Sequence, residues 1–277
     1  MSKILALSNI ELKKNQKFYS IYCATIFVSI LTINLFYIFQ AAGMYEVIEA
    51  YKNKVGGVVY GALIFENNMP LKMILFLGIV GAILYTALIW LRDWKGSHKN
   101  IYTYLMIPGN RMNLYFAKIL NSLFFTYMVL VCETIALFLS KYIFNAVFIS
   151  KSNIIDTSFN SDLSFISDIM FINTNGVDFF VENILFTFVA ISVISTLMII
   201  IMSMKNKVLA TLLIGASIFI ASIFGINLGT ASSKIYQLLL NLKITDSMVV
   251  ANIIISIIIL IICTGISYFL SNRKMSV

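Results

Sequence analysis

Histidine occurs once in this 277-residue chain and cysteine three times, so the side chains that most often hold a transition metal or run acid–base chemistry are scarce. His98 cannot build a metal cluster alone, and Cys23, Cys132 and Cys263 all fall inside long apolar runs, where they act as small apolar side chains. Neither a disulfide framework nor a thiolate metal site is expected. No G-x-x-x-x-G-K-[ST] run occurs anywhere, which removes the phosphate cradle of a P-loop. Proline occurs twice and charged residues make up only 12% of the chain, too few to clothe a soluble domain of this size.

What is there is apolar: 60% hydrophobic residues and a mean hydropathy of +0.93. Six segments are long enough to cross a bilayer, 19–40, 71–91, 119–140, 183–202, 208–228 and 248–270. Each has about 20 residues or more, which at ~1.5 Å rise per residue matches a hydrocarbon core of ~30 Å. Unbroken apolar runs satisfy their backbone polar groups as α-helices rather than as barrel strands of alternating polarity. The expected fold class is all-α: one polytopic transmembrane domain over 1–277 and no soluble domain. The first run exceeds the ~7–15 apolar residues of a signal-peptide core, so it reads as a retained helix.

Loop charge gives the orientation. Lys3, Lys13, Lys14, Lys17, Arg92, Lys95, Lys99, Arg111, Lys118, Lys205, Lys207, Arg273 and Lys274 fall on one side, 13 of the 20 Lys and Arg, while nine of the 12 acids fall on the other. The positive-inside rule then places both termini in the cytoplasm. The net charge of +8 follows from topology and contact with anionic lipid, and nucleic acid is not an expected partner.

Residues 1–18, with Ile4, Leu7, Ile10 and Leu12 among polar neighbours, read as a short interfacial helix before the first span. The inner loop 92–118 is the most informative connection. Ser97 is placed to cap a short helix in which Ile101, Tyr104 and Leu105 share a face, and Pro108-Gly109 ends it. Trp90 and Trp94 before it, and Tyr115 and Phe116 after it, suit the headgroup level. This amphipathic segment is either a plain connector or a docking element.

The run from Asp93 to Ser97, then Leu105-Met106-Ile107-Pro108 followed by Arg111 and Lys118, resembles the loop after the second helix in permease subunits of ABC-2-type ATP-binding-cassette exporters. Asp93 and Ser97 stand where Glu and Thr are commoner. Ile10-Glu11-Leu12-Lys13-Lys14 is similar to that family's N-terminal interfacial helix, and Ile235, Leu238, Leu239 and Leu240 before the last span resemble its outer re-entrant hairpin. The resemblance implies a coupling helix seated on separate ABC ATPase subunits that hold ATP and Mg, with no cofactor bound by this chain. It implies a second permease half, identical or homologous, and location in a bacterial plasma membrane. Arg92, Asp93, Lys95, Lys99 and Arg111 would set docking polarity, and Gly96, Ser97, Ile101, Tyr104, Leu105 and Pro108 would shape the contact. Small permeases of this type often export, or give immunity to, toxic peptides or antibiotics, so an amphipathic substrate is expected.

Glu133 is the one acid deep within a span. It must face protein or water, as a neutral side chain bonded to a neighbouring helix or as part of a substrate path or gate. Ser217, Ala221 and Gly225 on the fifth span, and Gly78 with Gly81 on the second, present small faces for close helix packing. The long outer loop 141–182 carries Asp156, Asp162, Asp168, Asp178 and Glu182 without the spacing of a calcium loop, as a solvated cap or a dock for a basic peptide. Two other functions stay open: a membrane sensor or immunity scaffold that binds a peptide without transport, and a secondary transporter or channel, which would call for more intramembrane polar groups or broken spans.

Overall fold

The computed structural model describes residues 2–43, 59–60, 68–95, 112–148, 155–156, 184–203 and 248–273. Five helices account for nearly all of them: α1 (Ser2–Gly43), α2 (Met69–Lys95), α3 (Met112–Phe148), α4 (Phe186–Ser203) and α5 (Met248–Arg273). Two strands of two residues each, β1 (Val59–Tyr60) and β2 (Ile155–Asp156), pair in parallel, Val59 opposite Ile155 and Tyr60 opposite Asp156. The helices α1, α2, α3 and α5 are long and apolar enough to cross a membrane. At ~1.5 Å per residue the 18 residues of α4 reach ~27 Å, just under the hydrocarbon thickness. This is a helical membrane protein.

Three boundaries differ from the sequence expectation. The segment 1–18 is not a separate interfacial helix, because α1 runs unbroken into the first span. Neither Pro nor Gly interrupts it before Gly43, and buried Glu11 and Asn15 continue the stripe that holds Tyr19, Cys23, Ile26 and Ile30. The exposed Lys13, Lys14 and Lys17, which suggested an interfacial element, lie off that stripe. The loop 92–118 is shorter at both ends, since α2 continues to Lys95 and α3 begins at Met112. The outer loop assigned to 141–182 starts later, because α3 carries on to Phe148 with Ser140 and Phe144 still buried. The fifth expected span, 208–228, the hairpin before the last span, and most of the outer loop lie outside the described residues.

Asn68 starts α2: its side-chain oxygen accepts from the Leu71 amide at 3.0 Å and its carbonyl from the Lys72 amide at 3.1 Å. Pro70 sits in that first turn, where a missing N–H removes no helical bond.

Polarity is sorted in the reverse of a soluble protein. Large apolar side chains stand exposed on the outward faces, among them Ile21, Phe36 and Phe39 on α1, Met73, Phe76 and Leu77 on α2, and Ile258, Ile261 and Ile262 on α5. The buried stripes carry the polar ones: Asn34 on α1, Thr86 on α2, Thr126 and Ser140 on α3, Ser192, Ser195 and Thr196 on α4, Ser256 and Ser267 on α5. Lipid explains both halves of this pattern, accepting the apolar face and offering nothing to the polar one.

The chain divides into two compact units. The first comprises Met1–Lys14, Ile83–Phe124 and Asn175–Val277, and the second Asn15–Ala82 and Phe125–Thr174. In the first, Trp90, Tyr115 and Ile119 pack with Ile191, Met198 and Ile199, and α4 lies along α5. A hydrogen-bonded chain of hydroxyls joins three helices there: Tyr115 to Thr196 at 3.1 Å and Thr196 to Ser267 at 3.1 Å. In the second, Tyr19 stacks on Phe125 at 4.2 Å between centroids, Tyr22 and Phe18 add tilted contacts to the same ring, and Asn34 donates to Ser140 at 2.9 Å.

Phe125 is fully buried under that stack, whereas Leu120, five residues earlier on the same helix, is 43% exposed. Phe125→Ala is expected to lower stability by roughly 3–5 kcal/mol, and Leu120→Ala by no more than about 0.5 kcal/mol. Thermal unfolding of the full chain in mild detergent checks the difference; equal effects would mean that this ring is not a packing centre.

Candidate functional site

Five charged side chains from three helices meet near the last turn of α2 and the first turns of α3. Glu11 and Lys14 come from α1, Arg92 and Asp93 from the last turn of α2, and Lys118 from the second turn of α3. Asp93 and Lys118 have no exposed surface, and Glu11 only 1%. Lys118 Nζ donates to Asp93 Oδ2, and Lys14 Nζ donates to Asp93 Oδ1 at 2.5 Å. Glu11 stands at ion-pair rather than hydrogen-bond distance from Lys118, 3.7 Å, and from Arg92, 3.6 Å. Lys118 also lies 5.0 Å above the Trp90 ring, a cation–π contact strengthened by exclusion of water.

Burying an ammonium and two carboxylates is unfavourable unless each charge finds a partner of opposite sign in good geometry. Asp93 does so twice over, with a lysine on each oxygen. Glu11 then balances the second positive charge that Asp93 alone cannot neutralise, and Lys14 and Arg92, 27% and 37% exposed, let the cluster's excess charge reach solvent. The cluster therefore pins α1 to the two helix ends that flank residues 96–111.

Asp93, expected to contribute docking charge, has its carboxylate turned inward and taken up by Lys14 and Lys118, while Arg92 is the partly exposed member of the pair. Trp90 and Tyr115 are also buried, at 2% exposure each, the first under Lys118 and the second in the hydroxyl chain. Lys95 ends α2. Gly96, Ser97, Lys99, Ile101, Tyr104, Leu105, Pro108 and Arg111, like Ser217, Ala221 and Gly225, lie outside the described residues. Sequence reasoning missed the partnership of Glu11, Lys14 and Lys118. The available signal was the spacing of Glu11, Asn15 and Tyr19, which puts an acid on the inward stripe of a helix.

Glu133 is a second buried acid, in the other unit, and its surroundings are the opposite. It has no exposed surface, and neither carboxyl oxygen has a hydrogen-bond partner among the described residues. The carboxyl lies against the α2 backbone at Gly78, where a methyl group in place of the glycine hydrogen would overlap Oε1 and meet Ile26 Cδ1 at 3.2 Å. One turn on, a methyl at Gly81 would overlap the Tyr22 hydroxyl, which donates to the Gly78 carbonyl at 3.1 Å. The two glycines thus do more than let helices approach: they make room for a carboxyl and a phenol. The expected bond from Glu133 to a neighbouring helix is not found among the described residues.

Compared with known proteins, the chain matches no family model, no curated protein and no solved structure.

Removing one partner from the buried pair leaves the other charge stranded. Lys118→Met and Asp93→Asn are each expected to lower stability by about 3–5 kcal/mol, while Lys13→Met, on the exposed side of α1, stays within about 0.5 kcal/mol. The double change Lys118→Met with Asp93→Leu should fall short of the sum of its single changes by roughly 0.5–3 kcal/mol. Strict additivity in a double-mutant cycle would show that the two side chains do not interact.

Proposed function

We propose that this chain is the permease subunit of an ATP-driven exporter of the ABC-2 type, with ATP and Mg held by separate ATPase subunits. The observation that carries the reading is the run from Asp93 to Arg111: an acidic residue, Gly96-Ser97, an apolar stretch with Tyr104 and Leu105, and Pro108 just ahead of a basic residue and a long helix. The lack of any P-loop motif in a chain built of long apolar helices fits a machine whose energy source sits on another polypeptide.

In this reading six spans cross a bacterial plasma membrane with both termini cytoplasmic, and the chain pairs with a second permease half. The segment 96–111 docks on the ATPase through Tyr104 and Leu105, with Arg92, Lys95 and Arg111 setting polarity at the rim. The charge cluster gives this docking a mechanical consequence. Force on the loop is delivered to α2 at Asp93 and to α3 at Lys118, and both residues are tied to α1, so the three helices respond together rather than singly. Asp93 then positions the loop and does not touch the partner. The substrate is an amphipathic peptide or antibiotic, and Glu133 lies on its path or at a gate.

Purification of the full chain in mild detergent from its native host, followed by mass spectrometry, tests this directly. A stoichiometric P-loop ATPase is expected, and it should be lost with Leu105→Glu or Tyr104→Asp while helix content and melting temperature stay unchanged. Recovery of the chain alone, with ligand binding or flux indifferent to ATP, would sink the exporter reading and favour a sensor or scaffold.

A further inference from the structure

Glu133 is closely seated and has no hydrogen-bond partner among the described residues. On α3, Phe125, Val129, Ala136 and Leu137 are fully buried above and below it. Glycine at two successive turns of α2 opens the seat that the carboxyl and the Tyr22 hydroxyl occupy. From α1 the titratable groups facing it are Tyr22 and Cys23, neither of them cationic, and on its own helix the neighbour is Cys132. Along the helices, the nearest described cations are Lys17 on α1, Lys72 on α2 and Lys141 on α3. The last two are six residues from Gly78 and eight from Glu133, about 9 and 12 Å along a helix.

A carboxylate in such a seat would be a bare charge in a medium of low dielectric, and the neutral acid is the form the seat accommodates. Ionisation and closure are then linked. Loss of the proton disfavours the closed seat over Gly78, and opening toward water allows the proton to leave.

We propose that Glu133 is a proton-binding site within the membrane, loaded when α1, α2 and α3 are closed around Gly78 and emptied when they part. The ligand is a single proton. Tyr22 is the group able to follow the change, because its hydroxyl donates to the Gly78 carbonyl in the loaded state and is free to turn to the carboxylate once the seat opens. The site makes opening of this helix contact sensitive to pH whether or not the chain is an exporter. The sign is fixed by the linkage: opening releases a proton, so higher pH favours the open form, by up to about tenfold per pH unit for one proton.

Two measurements on the full chain in liposomes test the proposal. A hydrophobic carbodiimide reacts with a protonated carboxyl in an apolar setting. The carboxyl oxygen adds to the carbodiimide carbon, the proton passes to its nitrogen, and the adduct rearranges to a stable acylurea with no leaving group. Dicyclohexylcarbodiimide should tag Glu133 at neutral pH and progressively less as pH rises, while a water-soluble carbodiimide should leave it untouched. Second, Cys23 is buried at 5% exposure beside the seat and reports its opening. Under reducing conditions followed by N-ethylmaleimide, the ratio of Cys23 labelling in wild type to that in Glu133→Gln should climb with pH. Absence of the carbodiimide tag, equal tagging by both reagents, or a labelling ratio flat with pH would each overturn the proposal. The carbodiimide experiment uses the unaltered chain and stands even if the variant folds poorly.

Discussion

Hydrocarbon supplies no hydrogen-bond partner, and that constraint decides which way each helix of this protein faces. Isoleucine and phenylalanine are as comfortable against lipid as against one another, so burying them does little to tell one helix face from the other. Serine, threonine, asparagine and the charged residues do discriminate, because an unsatisfied polar group costs several kcal/mol where no water can reach it. The inward stripes accordingly hold Asn34 against Ser140 and Tyr115 against Thr196, while exposed positions such as Phe36 and Ile261 are left to the solvent that suits them. The fold is specified largely by where its few polar side chains must go.

The two kinds of buried acid show how differently that constraint can be met. Asp93 is ionised and saturated with lysines, an arrangement that holds only while Lys14, Lys118 and Glu11 keep their places. It is therefore a rigid joint between α1, α2 and α3. Glu133 has no cation and no donor among the described residues, and its burial depends instead on a proton. The first acid is suited to transmitting force and the second to responding to solvent. Neither role would be served by exchanging them, since a lysine over Gly78 would lock the seat and a lone carboxyl at the end of α2 would release the joint.

Much of the helical plan was legible in the sequence, and its failures have a common cause. Segment hydropathy located α2, α4 and α5 to within a few residues, because a bilayer imposes a length that composition alone reveals. It ended α1 and α3 at the limits of their apolar runs, although helix continuity depends on the absence of Pro and Gly and on the inward stripe, and both persist past the polar residues. The charge cluster was not legible. Lys14 and Asp93 are 79 residues apart, and Lys118 and Asp93 are 25 apart. A one-dimensional count reads the two lysines as surface charge that reports topology, and Asp93 as docking charge. Gly78 and Gly81 were read as packing glycines; only their placement against Glu133 and Tyr22 shows what they make room for.

A basic residue beside a membrane span ordinarily belongs to the headgroup region. Lys118 does not, and the reason bears on function. A lysine held for lipid contact would extend its ammonium outward along an apolar stem. Lys118 turns inward over Trp90 to an aspartate on the helix that precedes it, so the free energy of its charge is invested in the relative position of two helix ends instead of in the membrane surface. The same residue that contributes to the positive-inside count thereby fixes the span of the loop between Lys95 and Met112. If that loop docks on an ATPase, its two ends move as one piece with α1, and the force arrives as a displacement of three helices rather than as the bending of a tether.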